Sequence, residues 1–469
     1  MSLRKIRKLS YFLLLLFSLI ELHAEEDLEL DFGGFDEEIL DSSEEIITDE
    51  EESQTPSNFT LSGNIAFKSA YGYRDHSVDG VEYSGINQAQ TALFLQADYK
   101  FNDDWKMRVS GDGFYDAYYD VSNQTFNDDV LNAYRTQLRF DDTYIQGRLT
   151  RDIDLKVGRQ IVVWGKSDSI RITDVINPLD NRLPGMTDIE DLRLPTSMAK
   201  LDYYFGDWSL SAMAIFESRI FLEPAPFGEY FPADKVFPNA PNPFIELVQP
   251  QSTLDNTQYA LSLNGVFSGW DISFYGADVY DSRWHLEGTL PNAARVVSKI
   301  QILGTAFNIV EGSWLFKSEA AFIDSLKYNS TQAEKSRFDA LLGLDYMGIS
   351  DTVLSLELAN RHIFNHEKQM SGEANFPDYV QEDELQTAFR VTHSMQNDTL
   401  NATLLLSMFG HNWQYGGFFR ASLEYDVADA VVANIGVIDY LDTAIKSDRP
   451  FANAISNNDK LFMDITYSF

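Results

Sequence analysis

Apolar and polar residues alternate with a period of two from Asn58 to the end of the chain. In the first such stretch Phe59, Leu61, Ile65 and Phe67 stand on one face, with polar residues between them. This pattern predicts a β-strand that has one apolar face and one polar face. Similar stretches recur, and they predict eighteen strands near 58–68, 86–101, 104–118, 137–149, 152–163, 195–206, 207–219, 256–267, 269–280, 296–309, 311–323, 335–347, 351–363, 384–397, 399–409, 415–428, 430–441 and 460–469.

The connections between these stretches are alternately short and long. Short turns are predicted near 102–104, 150–151, 206–207, 268–269, 311–312, 348–350, 396–398 and 426–429. Longer connections are predicted near 72–85, 119–136, 164–194, 220–255, 281–295, 324–334, 364–383, 410–414 and 442–459. Short periplasmic turns and long external loops are typical of bacterial outer-membrane barrels. Residues 58–469 are therefore predicted to form one all-β domain, a transmembrane antiparallel up-and-down β-barrel of about 18 strands, in the outer membrane of a Gram-negative bacterium.

Aromatic residues fit the same arrangement. Trp105, Trp208, Trp270 and Trp314 each begin a predicted strand just after a short turn. An indole at that position would lie at the periplasmic membrane interface, in contact with outer-membrane lipids. The last strand alternates and ends in Phe469, which resembles the signal read by the outer-membrane assembly machinery.

The N-terminal residues carry two further signals. Basic residues between Arg4 and Lys8 precede an apolar run at 11–20, so 1–24 is predicted to be a signal peptide cleaved after Ala24. Residues 25–57 form an acidic leader, and no Lys or Arg occurs between Glu25 and Ser53. Such a block is predicted to be disordered in the periplasm. It either docks onto a basic periplasmic partner or keeps the unfolded barrel soluble.

Composition narrows the function classes. The 72 acidic residues against 36 basic ones give a net charge of −36, which argues against nucleic acid as a partner. The chain has no Cys, which excludes disulfides and thiolate catalysis. It also lacks a Gly-x-Ser-x-Gly elbow, a His-Glu-x-x-His helix and a glycine-rich phosphate loop. We therefore expect neither an enzyme nor a cofactor, and we interpret His362 and His366 as loop residues rather than metal ligands.

The polar face of the strands predicts the lining of the lumen. If the apolar face meets lipid, the other face carries charges of both signs. The predicted lumen-wall residues include Lys106, Arg108, Lys156, Lys200, Asp202, Glu319, Glu357 and Arg420. Because the two signs nearly balance, the net charge of the whole chain does not predict ion selectivity.

A long polar connection, 164–194, is predicted to narrow the lumen, since a barrel of this size is open unless something fills it. The predicted constriction residues are Arg159, Trp164, Lys166, Asp168, Arg171, Asp174, Asp180 and Arg182. Alternation alone places Arg159 on the lipid face, where a charge near mid-membrane costs about 2–4 kcal/mol. We therefore predict either a bulge at Gly158 that turns Arg159 inward or a position at the membrane rim.

A second segment that could occlude the lumen is Phe221–Pro250, which is rich in proline and in phenylalanine. Proline stiffens such a segment and aromatic rings give it an apolar surface. It is either a lid that captures hydrophobic solute or a rigid external loop whose rings pack together.

The sequence resembles an uncharacterised family of Gram-negative outer-membrane proteins that carries a domain-of-unknown-function label. The resemblance is carried by Gly158-Arg-Gln-Ile-Val-Val-Trp-Gly-Lys166 and by Asp174-Val-Ile-Asn-Pro-Leu-Asp180, and Gly-Arg-Gln alone also occurs in alginate-export and substrate-specific porin barrels. Members are often encoded beside RND-type exporters and a periplasmic lipoprotein-like partner, which implies traffic of lipidic or hydrophobic molecules. The acidic leader departs from the family pattern.

These observations predict an outer-membrane channel for passive or partner-gated passage of small molecules, constricted by the loop 164–194. Two alternatives stay open. The first is a conduit for lipid or hydrophobic solute that works with an RND-type exporter. The second is a barrel that anchors adhesive surface loops.

Overall fold

The computed structural model describes residues 57–237, 240–289, 291–372, 378–443 and 450–469. The predicted signal peptide, and the acidic leader apart from its last residue, lie outside the described residues.

Eighteen antiparallel strands form one closed barrel, which confirms the predicted fold and strand number. Each strand pairs with the next along the chain, and the last closes on the first through pairs such as Ile65 with Tyr467. The strands are β1 Phe59–Gly72, β2 Gly85–Lys100, β3 Trp105–Asp116, β4 Thr136–Thr150, β5 Ile153–Gln160, β6 Thr196–Phe205, β7 Trp208–Ile215, β8 Gln258–Phe267, β9 Trp270–Tyr280, β10 Lys299–Glu311, β11 Trp314–Tyr328, β12 Thr331–Ile349, β13 Thr352–Ile363, β14 Asp383–Met395, β15 Leu400–Phe409, β16 Gly417–Ala428, β17 Val431–Leu441 and β18 Lys460–Ser468.

The loops contain short elements of their own. The helices are α1 Tyr118–Val121, α2 Asp128–Tyr134, α3 Ile189–Leu192, α4 Ala233–Val236 and α5 Pro450–Ala454, with 3-10 turns at Leu254–Asn256 and Lys368–Ser371. Two-residue strands at Ser77–Val78 and Val81–Glu82 pair with each other, and a small sheet joins Leu247–Val248, Ala294–Val296 and His285–Glu287. No helix in the described part of the chain is long and apolar enough to cross a membrane.

One edge of the barrel carries short turns and the other carries nearly all the long loops, as the sequence predicts. Gly206 and Gly269 take positive φ values of 61° and 81° in two-residue turns, where glycine avoids the strain a side chain would meet. The long loop predicted at 324–334 is the exception, because β11 and β12 continue to a turn at Asn329 and Ser330. Asp378 accepts hydrogen bonds from both backbone N–H groups of that turn, at 2.7 and 3.1 Å.

Tryptophan marks the short-turn edge. Trp105, Trp208, Trp270 and Trp314 are each the first residue of a strand, as predicted. Their rings pack on neighbouring residues at this edge; for example, Trp270 stacks on Phe267 with ring centroids 4.3 Å apart. Amphipathic rings at this depth match the aromatic girdle of membrane barrels.

The two faces of the wall differ in an unexpected way. Large apolar side chains project outward, among them Leu138, which is 90% exposed. The inner face is not uniformly polar, because β10 carries Ile300, Ile302 and Ala306 inside as well as Leu303 outside. These inner residues belong to the largest hydrophobic cluster of the described residues, which lies inside the barrel rather than on its surface.

Candidate functional site

The connection between β5 and β6, residues 161–195, lies inside the barrel and is called the inner loop below. Its Gly165 N–H donates to the hydroxyl of Tyr275 in β9, at 3.1 Å. Its Pro184 carbonyl accepts from the hydroxyl of Tyr440 in β17, at 2.6 Å. These strands are eight positions apart in a ring of eighteen, so the loop crosses the lumen from one wall to the other.

Asn177 fixes the base of the inner loop. Its side-chain oxygen accepts from the Val162 N–H at 2.7 Å, and its side-chain nitrogen donates to the carbonyls of Gln160 and Leu194 at 3.2 and 2.9 Å. The side chain is fully buried, so each of these bonds replaces one that water would otherwise make. One amide therefore joins the entering and leaving ends of the loop.

Glu319, on the inner face of β11, holds the first half of the loop. One carboxylate oxygen accepts from the N–H groups of Lys166 and Ser167, at 2.6 and 2.8 Å. The other accepts from the N–H and the hydroxyl of Thr173, at 3.1 and 2.7 Å. Only 4% of this residue is exposed, so the carboxylate is satisfied by the loop rather than by solvent.

Glu357, on the inner face of β13, makes a second anchor of the same kind. It accepts from the N–H groups of Asp168 and Ser169, at 2.8 and 3.1 Å, and from the Ser167 hydroxyl at 2.8 Å. Lys317 of β11 completes this contact by pairing with Asp168 at 2.5 Å. Two carboxylates of the wall, on β11 and β13, thus accept from the successive backbone N–H groups of residues 166–169. Hydrogen bonds to a charged acceptor are stronger than hydrogen bonds between neutral groups.

The far end of the inner loop is held by arginines. Asp188 pairs with Arg390 of β14, at 2.9 Å, and with Arg420 of β16. Arg420 also donates to the Gly185 carbonyl at 3.3 Å. A side chain at Gly185 would approach Phe418 to about 3.1 Å, so glycine lets the loop lie close to this wall.

The underside of the loop is apolar. Trp164 stacks on Tyr275 with ring centroids 4.7 Å apart, and Ile170 and Ile172 are buried in the same cluster. The wall strands opposite present small residues, and a side chain at Gly304 would meet the Thr173 methyl group at 3.0 Å. The loop is therefore packed against the wall as well as hydrogen-bonded to it.

The structure distributes the predicted constriction residues over several ion pairs rather than one ring. Lys166 pairs with Asp271 of β9, at 3.0 Å. Asp174 is shared by Arg171 and Arg193, at 3.2 and 2.9 Å. Most of these charges are therefore already neutralised by protein partners.

Asp180 and Arg182 pair with each other at 2.6 Å, and Arg182 also donates to Gln137 of β4 at 2.7 Å. Asp168 keeps about half of its side chain exposed while it contacts Lys317, whereas Trp164 is only 4% exposed. Of the predicted set, Asp168 thus presents the most exposed charge.

Arg159 occupies a different place from the constriction predicted for it. The register runs without a shift through Gly158, so the first of the two predicted alternatives, a bulge at this position, is wrong, while the second, a place near the rim, agrees with the end of β5 at Gln160. Arg159 lies one residue from the outer end of β5, where it pairs with Glu217 at 2.6 Å and donates to the Phe140 carbonyl at 3.0 Å. The carboxylate of Glu217, which alternation did not identify, makes this position tolerable for the charge.

The predicted lumen-wall residues lie along the inner face. Arg108 forms two bonds to Asp98, at 2.9 and 3.1 Å, and Lys106, two residues before it, stands on the same face. Lys156 lies over the Tyr144 ring, 3.8 Å from its centroid. Lys200 pairs with Asp202 at 3.2 Å. Glu319, Glu357 and Arg420 hold the inner loop as described above.

Sequence reasoning missed the role of Asn177, of Asp188 and of the two glutamates as loop anchors. One signal was available in β10, whose apolar residues stand on both faces instead of alternating. An apolar inner face in a barrel requires something to pack against it. Hydrogen bonds from backbone N–H groups to a wall carboxylate leave no such signal in the sequence, because every residue except proline has a backbone N–H group.

The proline-rich segment lies over the barrel, and its rings pack on one another. Phe227, Phe231, Phe237 and Phe244 form a buried cluster, which matches the interpretation as a rigid external loop. In the same segment Glu229 pairs with Lys460 at 2.8 Å, and burial raises the pKa of Glu229. In the described ranges no group of three or more His, Asp or Glu residues is arranged to hold a metal ion.

The family model described as "Protein of unknown function (DUF1302)" matches residues 52–469, and the chain belongs to that family. No curated protein matches the chain. Solved structures with a similar fold are outer-membrane barrels. Acinetobacter baumannii OccAB1 has a TM-score of 0.51 at 11% identity, covering 87% of this chain and 96% of that chain.

Acinetobacter baumannii OccAB4 has a TM-score of 0.49 at 10% identity, covering 88% of this chain and 98% of that chain. Pseudomonas aeruginosa OpdK has a TM-score of 0.46 at 10% identity, covering 87% of this chain and 99% of that chain. At 11% identity the likeness to OccAB1 concerns the fold alone, which is a closed β-barrel.

Proposed function

We propose that this member of the family is an outer-membrane channel through which small molecules pass, and that the inner loop narrows its lumen. The observation that carries the proposal is the attachment of the inner loop to the wall through Glu319 and Glu357. A barrel of eighteen strands encloses an aqueous passage unless side chains or loops fill it. A polar segment fixed across that passage sets its width.

Single-channel conductance of the refolded protein in a planar bilayer tests the proposal. We expect a small, steady conductance that rises when residues 166–191 are deleted, since the deletion removes most of the crossing segment. Deletion of residues 27–52 is a control of equal length, because it removes residues of the acidic segment instead, and we expect it to leave the conductance unchanged.

Two outcomes would contradict the proposal. A conductance that stays the same after deletion of 166–191 would show that the loop does not set the width. A complete lack of conductance in both forms, although both migrate as folded barrels, would show that the lumen is closed by something else.

A conduit for hydrophobic or amphiphilic solute, working with an RND-type exporter, is a second candidate. The observation that favours it is the apolar inner wall around Ile300, Ile302 and Ile323, which water-filled lumens do not require. Saturable binding of a fluorescent naphthylamine probe without ion conductance would favour the conduit. Conductance without probe binding would favour the channel.

A further inference from the structure

A cavity of about 340 Å³ lies between the inner loop and the outer ends of strands β9 to β14. Its lining includes Arg171 and Asp174 of the inner loop and Phe221 of the proline-rich segment. Small-molecule sites in proteins fall between about 300 and 1,000 Å³, so the cavity is at the lower end of that range. Because the outer strand ends surround it, it lies on the external side of the inner loop.

One side of this cavity is aliphatic. Ile300, Ile302, Ile323, Leu326 and Ile363 line it, and each is at most 6% exposed. They pack together in the cluster inside the barrel, so this side of the cavity is a formed apolar surface. The hydrocarbon part of a small ligand in the cavity would lie against this surface.

The other side of the cavity carries arginines, of which some pair with a carboxylate of the described residues and one does not. Arg337 makes two bonds to Asp339, both at 2.7 Å, and Arg283 makes two to Asp281, at 3.3 and 3.2 Å. Arg361 differs, because no carboxylate among the described residues forms an ion pair with it. Its donors reach only neutral acceptors, the Gln386 side chain at 3.1 Å and the Arg171 carbonyl at 3.2 Å.

The charges that line the cavity balance in number but are not paired evenly. Four arginines and four acidic residues line it, namely Arg171, Arg283, Arg337, Arg361, Asp174, Asp281, Asp339 and Glu384. Asp174 pairs with Arg171 and with Arg193, at 3.2 and 2.9 Å, so among the lining arginines Arg361 is the one that forms no ion pair with a carboxylate of the described residues. A partly buried guanidinium that forms no ion pair with a described carboxylate favours an anionic partner, because charge-assisted bidentate bonds to a carboxylate are among the strongest it can make.

We infer that this cavity is a binding site for small amphipathic monocarboxylates that enter from outside. The carboxylate accepts from Arg361, and the hydrocarbon part lies on the isoleucine side. The inference rests on the proposed function, since it names the class of solute that a channel of this kind takes up. It also places the ligand directly on the inner loop, whose Arg171 carbonyl competes for the same guanidinium.

Titration calorimetry on the full chain in detergent, with hexanoate as the probe, tests the site. We expect saturable binding of hexanoate, and binding at least tenfold weaker for hexanol and hexylammonium, which lack the carboxylate. Arg361→Gln should weaken hexanoate binding about tenfold or more, because it removes the positive charge and the pair of parallel N–H donors that a carboxylate accepts from. Arg148→Gln removes an arginine whose side chain is 61% exposed near the short-turn edge, and it should bind like the wild type.

Ile323→Phe is a second variant, which fills the aliphatic side and keeps every arginine; we expect it to abolish binding. Each variant is first checked for the gel mobility of a folded barrel. The inference is overturned by a lack of saturable hexanoate binding to the wild type. It is equally overturned if Ile323→Phe, or a folded Arg361→Gln, binds as the wild type does.

Conductance separates this result from the proposed function. If deletion of 166–191 raises conductance while hexanoate does not bind, the channel stands and only the site is wrong. If hexanoate binds and conductance does not depend on the loop, the site stands and the proposed constriction is wrong.

Discussion

Replacement of Glu319 by glutamine is the sharpest perturbation of the inner loop that the structure offers. The side chain keeps its size but loses its charge, and one acceptor oxygen becomes a donor. Four donors of the loop now meet the two carboxylate oxygens at 2.6 to 3.1 Å. After Glu319→Gln, the Thr173 hydroxyl can rotate to accept, but the Thr173 N–H faces a donor.

The size of the effect follows from those contacts. The two bonds to Lys166 and Ser167 become neutral, which costs about 1 kcal/mol each, and the orphaned N–H of Thr173 costs about 1–3 kcal/mol. The docked position of the loop should therefore lose about 3–5 kcal/mol. Since each 1.4 kcal/mol is a factor of ten, the ratio of docked to undocked loop should fall at least about a hundredfold.

Single-channel recording detects this change as bursts of higher conductance, which approach the level of the form that lacks 166–191. Glu311→Gln is the matched control, because Glu311 is an exposed glutamate at the short-turn end of β10. We expect its traces to match those of the wild type. If Glu319→Gln gives a folded barrel with the conductance and dwell times of the wild type, these hydrogen bonds do not hold the loop in place.

Three further outcomes follow from the structure. Gly147→Val should lower the thermal unfolding temperature, because a side chain there would meet the Trp105 ring at 2.2 Å, whereas Gly276→Val, whose nearest neighbouring atom is at 3.8 Å, should not; equal unfolding temperatures would contradict this. Asn177→Ala should make the inner loop more open to proteolysis, since each buried group left unpaired costs about 1–3 kcal/mol, and an unchanged cleavage pattern would refute its role. Burial, with Lys235 nearby, lowers the pKa of His76, so the fold favours the neutral ring and its contribution to stability is lost as the pH falls below 6.5; the hydrogen-exchange protection factors of 73–84, which are corrected for the intrinsic rate at each pH, should fall at pH 5, but not in His76→Gln.

The fold was predictable because its physical cause is periodic. Each strand must present one face to lipid and one to the lumen, so alternation and turn spacing recur along the chain. The prediction failed at 324–334, where Lys327 and Asn329 are polar but the strands continue to a turn fixed by Asp378. The carboxylate of Asp378, which is distant in the sequence, stabilises that turn, so the pattern of residues within 324–334 does not predict it.

The candidate site was predictable only in part. The inner loop and its charges stand out in composition, but their pairing does not, because it depends on which wall strand faces each residue. Arg159 shows the limit, since alternation placed it correctly near lipid but could not identify Glu217, 58 residues away, as its partner.

The way in which the inner loop is held explains why its charges were a poor guide to its role. Glu319 and Glu357 accept from backbone N–H groups, so the loop is held through its backbone rather than through its side chains. The charged side chains of the loop are thereby free to pair with neighbouring residues, as Asp174 does with Arg171 and Arg193. Solutes would then meet few unpaired charges, and Arg361, which lacks a carboxylate partner among the described residues, stands out for that reason. Discrimination between solutes should accordingly depend more on the cavity beside Arg361 than on the net charge of the lumen.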